Sequence, residues 1–169
     1  VEALARLPSC YHPADLYPLS RVPSRAELGL PEDGIVFCAF CNPLKIEPVC
    51  FAAWMEILVR VPGSVLWLSE RPSYIAAQAL LRARAAQAGV APERLVFAAH
   101  ALDKAAHLAR HRAADFFLDS FAVSAASTAL DALGAGLPVL TKRGRQATAN
   151  VAVSFLSALG LPELIADDR

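Results

Sequence analysis

The stretch ADFFLDSFAVSAASTALDALGAGLPVLT, residues 114–141, contains a complete strand, helix and second strand. Its first apolar run, Phe116–Asp119, is short and leads into small polar residues, which is typical of a buried strand that ends in a loop. Helical spacing covers Thr128–Leu133, and the glycine-rich stop Gly134–Pro138 ends that helix. A strand at Pro138–Thr141 follows. The stretch therefore predicts a βαβ unit.

The same alternation of short apolar strands and Ala/Leu-rich helices continues along the rest of the chain. Further strands are predicted at Ile35–Phe40, Ser64–Leu68 and Leu95–Ala98, and further helices at Pro48–Val59, Tyr74–Ala88, Lys104–His111 and Thr148–Leu159. Because each strand is continuously apolar, both faces of the sheet must be covered. The sequence thus predicts an α/β fold with a Rossmann-like parallel sheet and helices on both faces. Ligands of such sheets bind at the carboxyl ends of the strands.

Composition limits the functions that this fold can serve. The chain has 169 residues, 56% of them hydrophobic, and 16 Lys and Arg balance 16 Asp and Glu. So high an apolar content excludes a disordered chain. A neutral balance argues against nucleic acid as a bulk partner, because a phosphate backbone is normally met by a basic face. No apolar run approaches the ~18–20 residues that cross a bilayer, so we expect no membrane partner.

The ends of the chain and its cysteines indicate organisation and compartment. Closely spaced prolines in residues 1–33 predict an extended lead-in, and residues 34–169 form the predicted domain. Because the chain opens on Val1 without a secretory leader, we expect a cytoplasmic fragment of a longer protein. The cysteines do not resemble a secreted disulfide framework, which favours a reducing compartment. They are Cys10, Cys38, Cys41 and Cys50.

A lysine follows the first predicted strand. The segment CNPLKIEP, residues 41–48, carries Lys45 between the end of that strand and the start of a helix. N–H groups at a helix start carry partial positive charge and a neighbouring lysine adds a full one, so an anion is favoured there. The alternative is a solvated surface lysine, which is the commoner case for an isolated residue.

A second group of polar residues opens the helix after the third strand. Asp103 is predicted to cap this helix, and the spacing of three places Lys104, His107 and Arg110 on one face. A polar ligand lying over the helix start could contact all three side chains. A solvated helix face fits the same pattern equally well when the stretch is taken alone.

Two metal-like or redox-like spacings are better explained as structure. His107 and His111 are four residues apart, but Leu108 stands where a zinc protease helix needs its glutamate, so a zinc site is rejected. Cys38 and Cys41 form a C-x-x-C pair, yet Cys38 lies inside a predicted buried strand instead of at an exposed helix start. Both cysteines are predicted to be structural.

The third group lies in the βαβ unit itself. Ser127 and Thr128 are predicted to cap the helix and to offer hydroxyls and free N–H groups to a phosphate. Asp131 lies on the same face, where a carboxylate can accept two hydrogen bonds from a ribose diol. Simple capping, and an acid favoured by the helix dipole, are the structural alternatives.

An acid followed by Gly-x-Pro-Val in the fourth βα unit resembles the nucleotide-sugar motif of GT-B glycosyltransferases. From Leu30 onward the chain resembles the C-terminal catalytic lobe of the protein O-GlcNAc transferase and SPINDLY-like family, in its bacterial form that follows tetratricopeptide repeats. The stretches that carry the resemblance are LPEDGIVFCAFCNPLKIEP (30–48), VPGSVLWLSE (61–70), RLVFAAH (94–100), HLARHRAADFFLDS (107–120), STALDALGAGLPVLT (127–141) and LGLPELIA (159–166). ARLPSCYHPAD (5–15) resembles the segment that joins the two lobes.

The resemblance assigns roles to the residues of the three groups. It implies that Lys45, with Asn42 beside it, contacts the diphosphate of UDP-GlcNAc, the donor, without a metal or other cofactor. It implies uridine contacts for Lys104, His107 and Arg110, diphosphate contacts for Ser127 and Thr128, and a ribose contact for Asp131. It also implies three partners outside the chain: an N-terminal lobe, tetratricopeptide repeats and an acceptor protein.

The chain departs from the family in one tripeptide. Ser124-Ala125-Ala126 stands where the family usually has Asn-Gly-His or Asn-Ala-His, so a histidine beside the diphosphate is replaced by Ala126. Positive charge after the fifth strand, at Lys142, Arg143 and Arg145, is a candidate substitute.

Three functions follow from this sequence. The first is transfer of GlcNAc to protein Ser or Thr, with the general base and the acceptor not identified. The sugar also stays open here, because a plant branch of the family that the chain resembles uses GDP-fucose. The second is a nucleotide-binding pseudoenzyme or scaffold lobe, and the third is a plain interaction domain.

Overall fold

The computed structural model describes Cys10, His12, Pro18 and residues 20–70, 74–99, 101 and 103–167. Within these residues strands and helices alternate in the order β1 (Val36–Ala39), α1 (Pro48–Arg60), β2 (Val65–Ser69), α2 (Ile75–Gln87), β3 (Leu95–Ala98), α3 (Lys104–His111), β4 (Phe116–Leu118), α4 (Ser127–Gly134), β5 (Val139–Lys142), α5 (Val151–Leu159) and β6 (Ile165–Ala166). Short 3-10 turns lie at Ala26–Leu28, Pro43–Lys45, Pro92–Arg94, Ala147–Ala149 and Pro162–Leu164.

All six strands form one sheet in the order β3-β2-β1-β4-β5-β6, and every pair is parallel. The chain therefore runs outward from β1 to one edge, crosses back, and runs outward from β4 to the other edge. This is the order of doubly wound dinucleotide-binding sheets, and the predicted α/β class is confirmed. The order reverses between β1 and β4, so the crevice for a ligand lies at the carboxyl ends of these two strands.

Both faces of the sheet are buried because the strand residues alternate between two apolar clusters. Val36 and Cys38 point to the face covered by α4 and α5. Phe37 and Ala39 point to the opposite face, which α1 covers with Trp54 and its apolar neighbours. Large side chains on both faces explain why the strands read as unbroken apolar runs in the sequence.

The predicted elements are present, with small shifts at their ends and two larger differences. The helix predicted from Thr148 begins only at Val151, because Ala147–Ala149 forms a 3-10 turn that the Asn150 amide closes by donating to the carbonyls of Gly144 and Gln146. Strand β6 was not predicted, since two residues are too short to show a period. Gly136, at a φ of 82°, ends the turn after α4 in the backbone region that glycine favours.

Arg25, near the end of the lead-in, joins it to the domain through hydrogen bonds and an ion pair. Its first residues, 1–9, 11, 13–17 and 19, lie outside the described residues. Arg25 donates from Nε to the Ala113 carbonyl at 3.0 Å and pairs with Asp115 Oδ2 at 2.7 Å. Asp115 Oδ2 also accepts from the Val36 N–H at 2.7 Å, so the lead-in is tied to the start of the central strand.

Candidate functional site

The loop after β1 carries Lys45 across the switch point. Asn42 caps the 3-10 turn Pro43–Lys45 by accepting the Leu44 N–H through Oδ1 at 3.0 Å. Lys45 ends that turn, and its Nζ donates to the carbonyl of Ser124 at 3.2 Å. Lys45 is half-buried, so it is not the freely solvated lysine of the alternative interpretation. Its ammonium lies against the loop that leads from β4 into α4.

The start of α4 differs from the prediction in one respect. Ser127 and Thr128 were expected to cap the helix, and this is wrong: the capping position is Ala126, which has no side-chain hydrogen bond to offer. The helix begins one residue earlier than predicted, so both hydroxyl residues lie in its first turn. The N–H groups of a first turn have no helical acceptor, so they are available to an anion at this edge of the sheet.

Helix α3 faces α4 across this edge, and Asp131 connects the two. Asp103 caps α3 as predicted, accepting the Ala106 N–H at 2.7 Å. Lys104 Nζ forms a short ion pair with Oδ1 of Asp131, and His107 Nε2 lies 3.4 Å from Oδ2. Burial alone would raise the pKa of Asp131, but the hydrogen bonds from His107 and Lys104 outweigh it and the pKa is lowered. The ionised form of Asp131 is thus favoured, with a partner from α3 at each oxygen.

Arg110 lies behind His107 rather than beside it on the surface. Its side chain is buried against the ring of Phe40, with the guanidinium carbon 4.3 Å from the ring centre. Nη1 donates to the Ala99 carbonyl at 2.7 Å and Nη2 lies 2.8 Å from His107 Nδ1. The predicted common face is therefore present, but a ligand over the helix start meets Lys104 and His107 first. The solvated-face alternative is wrong for Arg110.

His111 and the Cys38/Cys41 pair, which the sequence analysis assigned to structural roles, are buried. His111 is fully buried and donates from Nδ1 to the His107 carbonyl at 2.8 Å, and burial lowers its pKa to about 4. Cys38 and Cys41 are buried and unpaired. Burial raises the pKa of both thiols, that of Cys41 to about 12. Among the described residues, no group of three or more His, Cys, Asp or Glu side chains could hold a metal ion.

Asp119, at the end of β4, was not singled out from the sequence. Its carboxylate is 3% exposed and accepts four hydrogen bonds, from the N–H groups of Ser120 and Ala125 and the hydroxyls of Ser124 and Thr141. An acid directly after a buried apolar strand was the signal that could have found it, because a buried carboxylate needs several donors.

Three basic residues lie at the end of β5 and just after it. Arg143 pairs with Asp167 at 3.2 Å on the surface, and Arg145 is exposed. Lys142 lies over the ring of Phe121, with Nζ 5.4 Å from the ring centre. The contacts described for Arg143 thus turn it toward the β6 end of the chain and away from Ala126.

A groove of about 840 Å³ lies on the face of the sheet that α1 covers. Its apolar lining comes from α1, the last strands and the turn before β6, and includes Trp54, Ile57, Leu140 and Ile165. Asp119, Phe121 and Thr141 also line it, so the groove reaches the carboxyl ends of β4 and β5. Neither Lys45 nor any residue of α3 or α4 belongs to its lining.

This fold and this arrangement define the chain as a Rossmann-like lobe of the kind found in GT-B glycosyltransferases, an assignment that a structural match supports. A variant of the O-GlcNAc transferase of Thermobaculum terrenum matches with a TM-score of 0.74 and 29% sequence identity, over 80% of this chain and 26% of that one. The chain belongs to glycosyl transferase family 41, whose profile matches residues 6–169.

Curated relatives give the same family. The UDP-N-acetylglucosamine–peptide N-acetylglucosaminyltransferase of Caenorhabditis elegans is 38% identical over 146 residues, which are 86% of this chain and 12% of the worm protein. A probable enzyme of the same name from Arabidopsis thaliana, SEC, is 36% identical over 168 residues, or 95% of this chain and 17% of the plant protein. The chain thus spans less than a fifth of the length of these relatives. No helix in the described part of the chain is long and apolar enough to cross a membrane.

Proposed function

We propose that this chain is the donor-binding lobe of a protein O-linked N-acetylglucosaminyltransferase. It binds the UDP part of UDP-GlcNAc at the carboxyl ends of β1 and β4, and GlcNAc passes to a Ser or Thr hydroxyl of an acceptor protein. The observation that carries the proposal is the meeting of three elements at one crevice: Lys45 after β1, the first turn of α4, and Asp131 held from α3. The names of the relatives support the sugar and the acceptor class.

The diphosphate end of the donor is assigned to Lys45 and α4. Departing UDP gains negative charge, so groups that bind the diphosphate more tightly as the glycosidic bond breaks accelerate transfer. Lys45 has three N–H donors, of which one is committed to the Ser124 carbonyl, leaving two for phosphate oxygens. The N–H groups and hydroxyls of Ser127 and Thr128 face the same anion, and Asn42 holds the turn that carries Lys45. We propose that this set works without a metal.

The nucleoside end is assigned to α3 and Asp131. A carboxylate has about four lone-pair positions, so Asp131 can accept from a ribose diol while Lys104 and His107 each occupy one oxygen. Lys104 and His107 border the same space and are the proposed uridine contacts, with Arg110 supporting His107 from behind.

The remaining partners are proposed from the family. A second lobe and tetratricopeptide repeats would complete the enzyme, and the acceptor protein would enter between the lobes. The proposed compartment is the cytoplasm, which agrees with the free thiols of Cys38, Cys41 and Cys50.

A nucleotide-binding pseudoenzyme is the second candidate, and Ala126 favours it. The family histidine is absent there, and the contacts described for Arg143 lead to Asp167. This candidate predicts UDP binding without transfer. The experiment measures transfer of radiolabelled GlcNAc to protein by the two-lobed protein, as wild type and with Ala126→His. Transfer by the wild type would rule out the pseudoenzyme, and transfer only by the variant would support it. If UDP fails to raise the melting temperature of the chain, both candidates are wrong and the plain interaction domain stands.

A further inference from the structure

The loop between β4 and α4 is organised around the buried carboxylate of Asp119. Oδ1 accepts the N–H groups of Ser120 at 2.8 Å and Ala125 at 2.6 Å. Oδ2 accepts the hydroxyls of Ser124 at 2.6 Å and Thr141 at 2.7 Å. Three of these four donors belong to the loop itself, and the fourth comes from β5. The carboxylate therefore fixes both ends of a loop that has no regular secondary structure.

Ser124 connects this loop to two other parts of the fold through hydrogen bonds. Its Oγ, while donating to Asp119, accepts the N–H of Ala152 in α5 at 2.9 Å. Its carbonyl accepts from Lys45 Nζ at 3.2 Å. Ser124 is 2% exposed, so water does not compete readily for these groups. One residue thus connects the carboxyl end of β4, helix α5 and the lysine of the β1 loop.

We propose that Ser124, held by Asp119 and α5, is a positioning residue that sets Lys45 and the first turn of α4 for the diphosphate. The inference rests on the proposed function and deepens it, because it assigns a task to the tripeptide in which this chain departs from its family. The hydroxyl of Ser124 reaches no phosphate itself. It fixes the carbonyl that orients the Lys45 ammonium, and it fixes the backbone three residues before α4.

Two hydroxyl donors to one oxygen provide a matched pair of variants. Ser124→Ala removes the donor that belongs to the loop, whereas Thr141→Val removes the donor from β5 and leaves the loop bonds in place. Each variant removes one hydrogen bond to the buried Asp119 carboxylate, so both are expected to lower the melting temperature. Only Ser124→Ala is expected to release Lys45 and the start of α4.

The test compares UDP and uridine as ligands of wild type, Ser124→Ala and Thr141→Val. Ser124→Ala keeps the Lys45 ammonium and the start of α4 but orients them less well, so we expect about a three- to tenfold weaker affinity for UDP. Uridine, which has no diphosphate, is expected to bind Ser124→Ala within about twofold of wild type, and Thr141→Val is expected to bind both ligands normally. If Ser124→Ala does not fold, Ser124→Cys, with a weak S–H donor, replaces it in the same comparison.

The outcomes separate this inference from the function on which it rests. If wild type binds no UDP, the proposed function is wrong and this inference falls with it. If wild type binds UDP but Ser124→Ala binds it equally well, only the inference is overturned. Equal losses for UDP and uridine, or an equal loss in Thr141→Val, would also overturn it, because they indicate general destabilisation.

Discussion

Nη2 of Arg110 lies 2.8 Å from Nδ1 of His107. A guanidinium can only donate, so Nδ1 must accept and the proton of the neutral imidazole lies on Nε2. Nε2 is the nitrogen that faces Asp131, 3.4 Å from Oδ2. A residue buried against Phe40 therefore decides which hydrogen bond α3 offers to the carboxylate on α4. Arg110 thus acts through His107 on Asp131, the proposed ribose contact.

The first prediction concerns this arrangement. Arg110→Met keeps much of the apolar stem that packs on Phe40 but removes the donor to Nδ1, so the two tautomers of His107 become closer in free energy. NMR of the imidazole nitrogens is expected to show the Nε2–H form in wild type and a mixture in the variant. UDP affinity should fall with it. A wild-type His107 protonated on Nδ1 alone would contradict the hydrogen-bond assignment.

The second prediction concerns the charge of Asp131. Asp131→Asn keeps the shape of the side chain but loses the charge that pairs with Lys104 and accepts the hydrogen bond of His107. UDP affinity is therefore expected to fall about tenfold or more, the effect of one charge-assisted bond. Asp103→Asn is the control on the neighbouring helix, because asparagine caps a helix as well as aspartate does. Equal affinities of the two variants would remove Asp131 from the site.

The third prediction is a pH dependence of stability caused by His111. Its pKa is about 4 in the folded protein, against an ordinary value of 6.5. Above pH ~6.5 the His111 side chain is neutral in both the folded and the unfolded protein. Below pH ~6.5 it takes up a proton in the unfolded chain but stays neutral in the folded one, so the free energy of unfolding falls as the pH drops toward ~4. The loss amounts to about 2–3 kcal/mol at pH ~4.5. Denaturant unfolding at neutral and acid pH, in wild type and His111→Gln, measures it. Identical acid losses in the two proteins would show that His111 is not the cause.

The fourth prediction concerns thiol reactivity. Cys38, Cys41 and Cys50 are buried, and burial raises the pKa of each, so the thiolate that reacts with disulfide reagents is scarce. Cys10 is only half-buried. A native titration with Ellman's reagent is expected to label Cys10 quickly and the other three only after unfolding. Cys10→Ser should abolish the fast phase, and a fast phase that survives this change would mean that a core thiol is accessible.

Much of the fold could be predicted because its signals are local. Parallel strands buried on both faces read as apolar runs, and the glycine-rich stop Gly134–Pro138 marks the end of α4 directly in the sequence. The first residue of a helix is harder to predict from the sequence. The pattern predicts a helix from Thr148, but the Asn150 side chain closes a 3-10 turn there and the α-helix begins only at Val151. Two-residue β6 has no period to detect.

The site could be predicted only in part, because some of its contacts join distant residues. Lys45 and Asp131 were visible as charged residues at strand ends and helix starts. The task of Asp119 depends on Ser124 and Thr141, which only the folded sheet brings to one carboxylate. The sequence predicts Arg110 on the same face as Lys104 and His107, because three-residue spacing does not distinguish the side of α3 that contacts Asp131 from the side that packs on Phe40.

Lys45 and the first turn of α4 are the proposed ligands of the diphosphate of a UDP-sugar. Calorimetric titration of UDP into wild type and Lys45→Ala measures the share of Lys45 in that binding. Arg60→Ala is the control, since it removes one positive charge from an exposed pair with Glu56 at the far end of α1. Loss of a charge-assisted hydrogen bond of ~1.5–3 kcal/mol predicts roughly 10- to 150-fold weaker binding for Lys45→Ala and unchanged binding for Arg60→Ala. Unchanged affinity in Lys45→Ala would show that Lys45 does not bind the diphosphate.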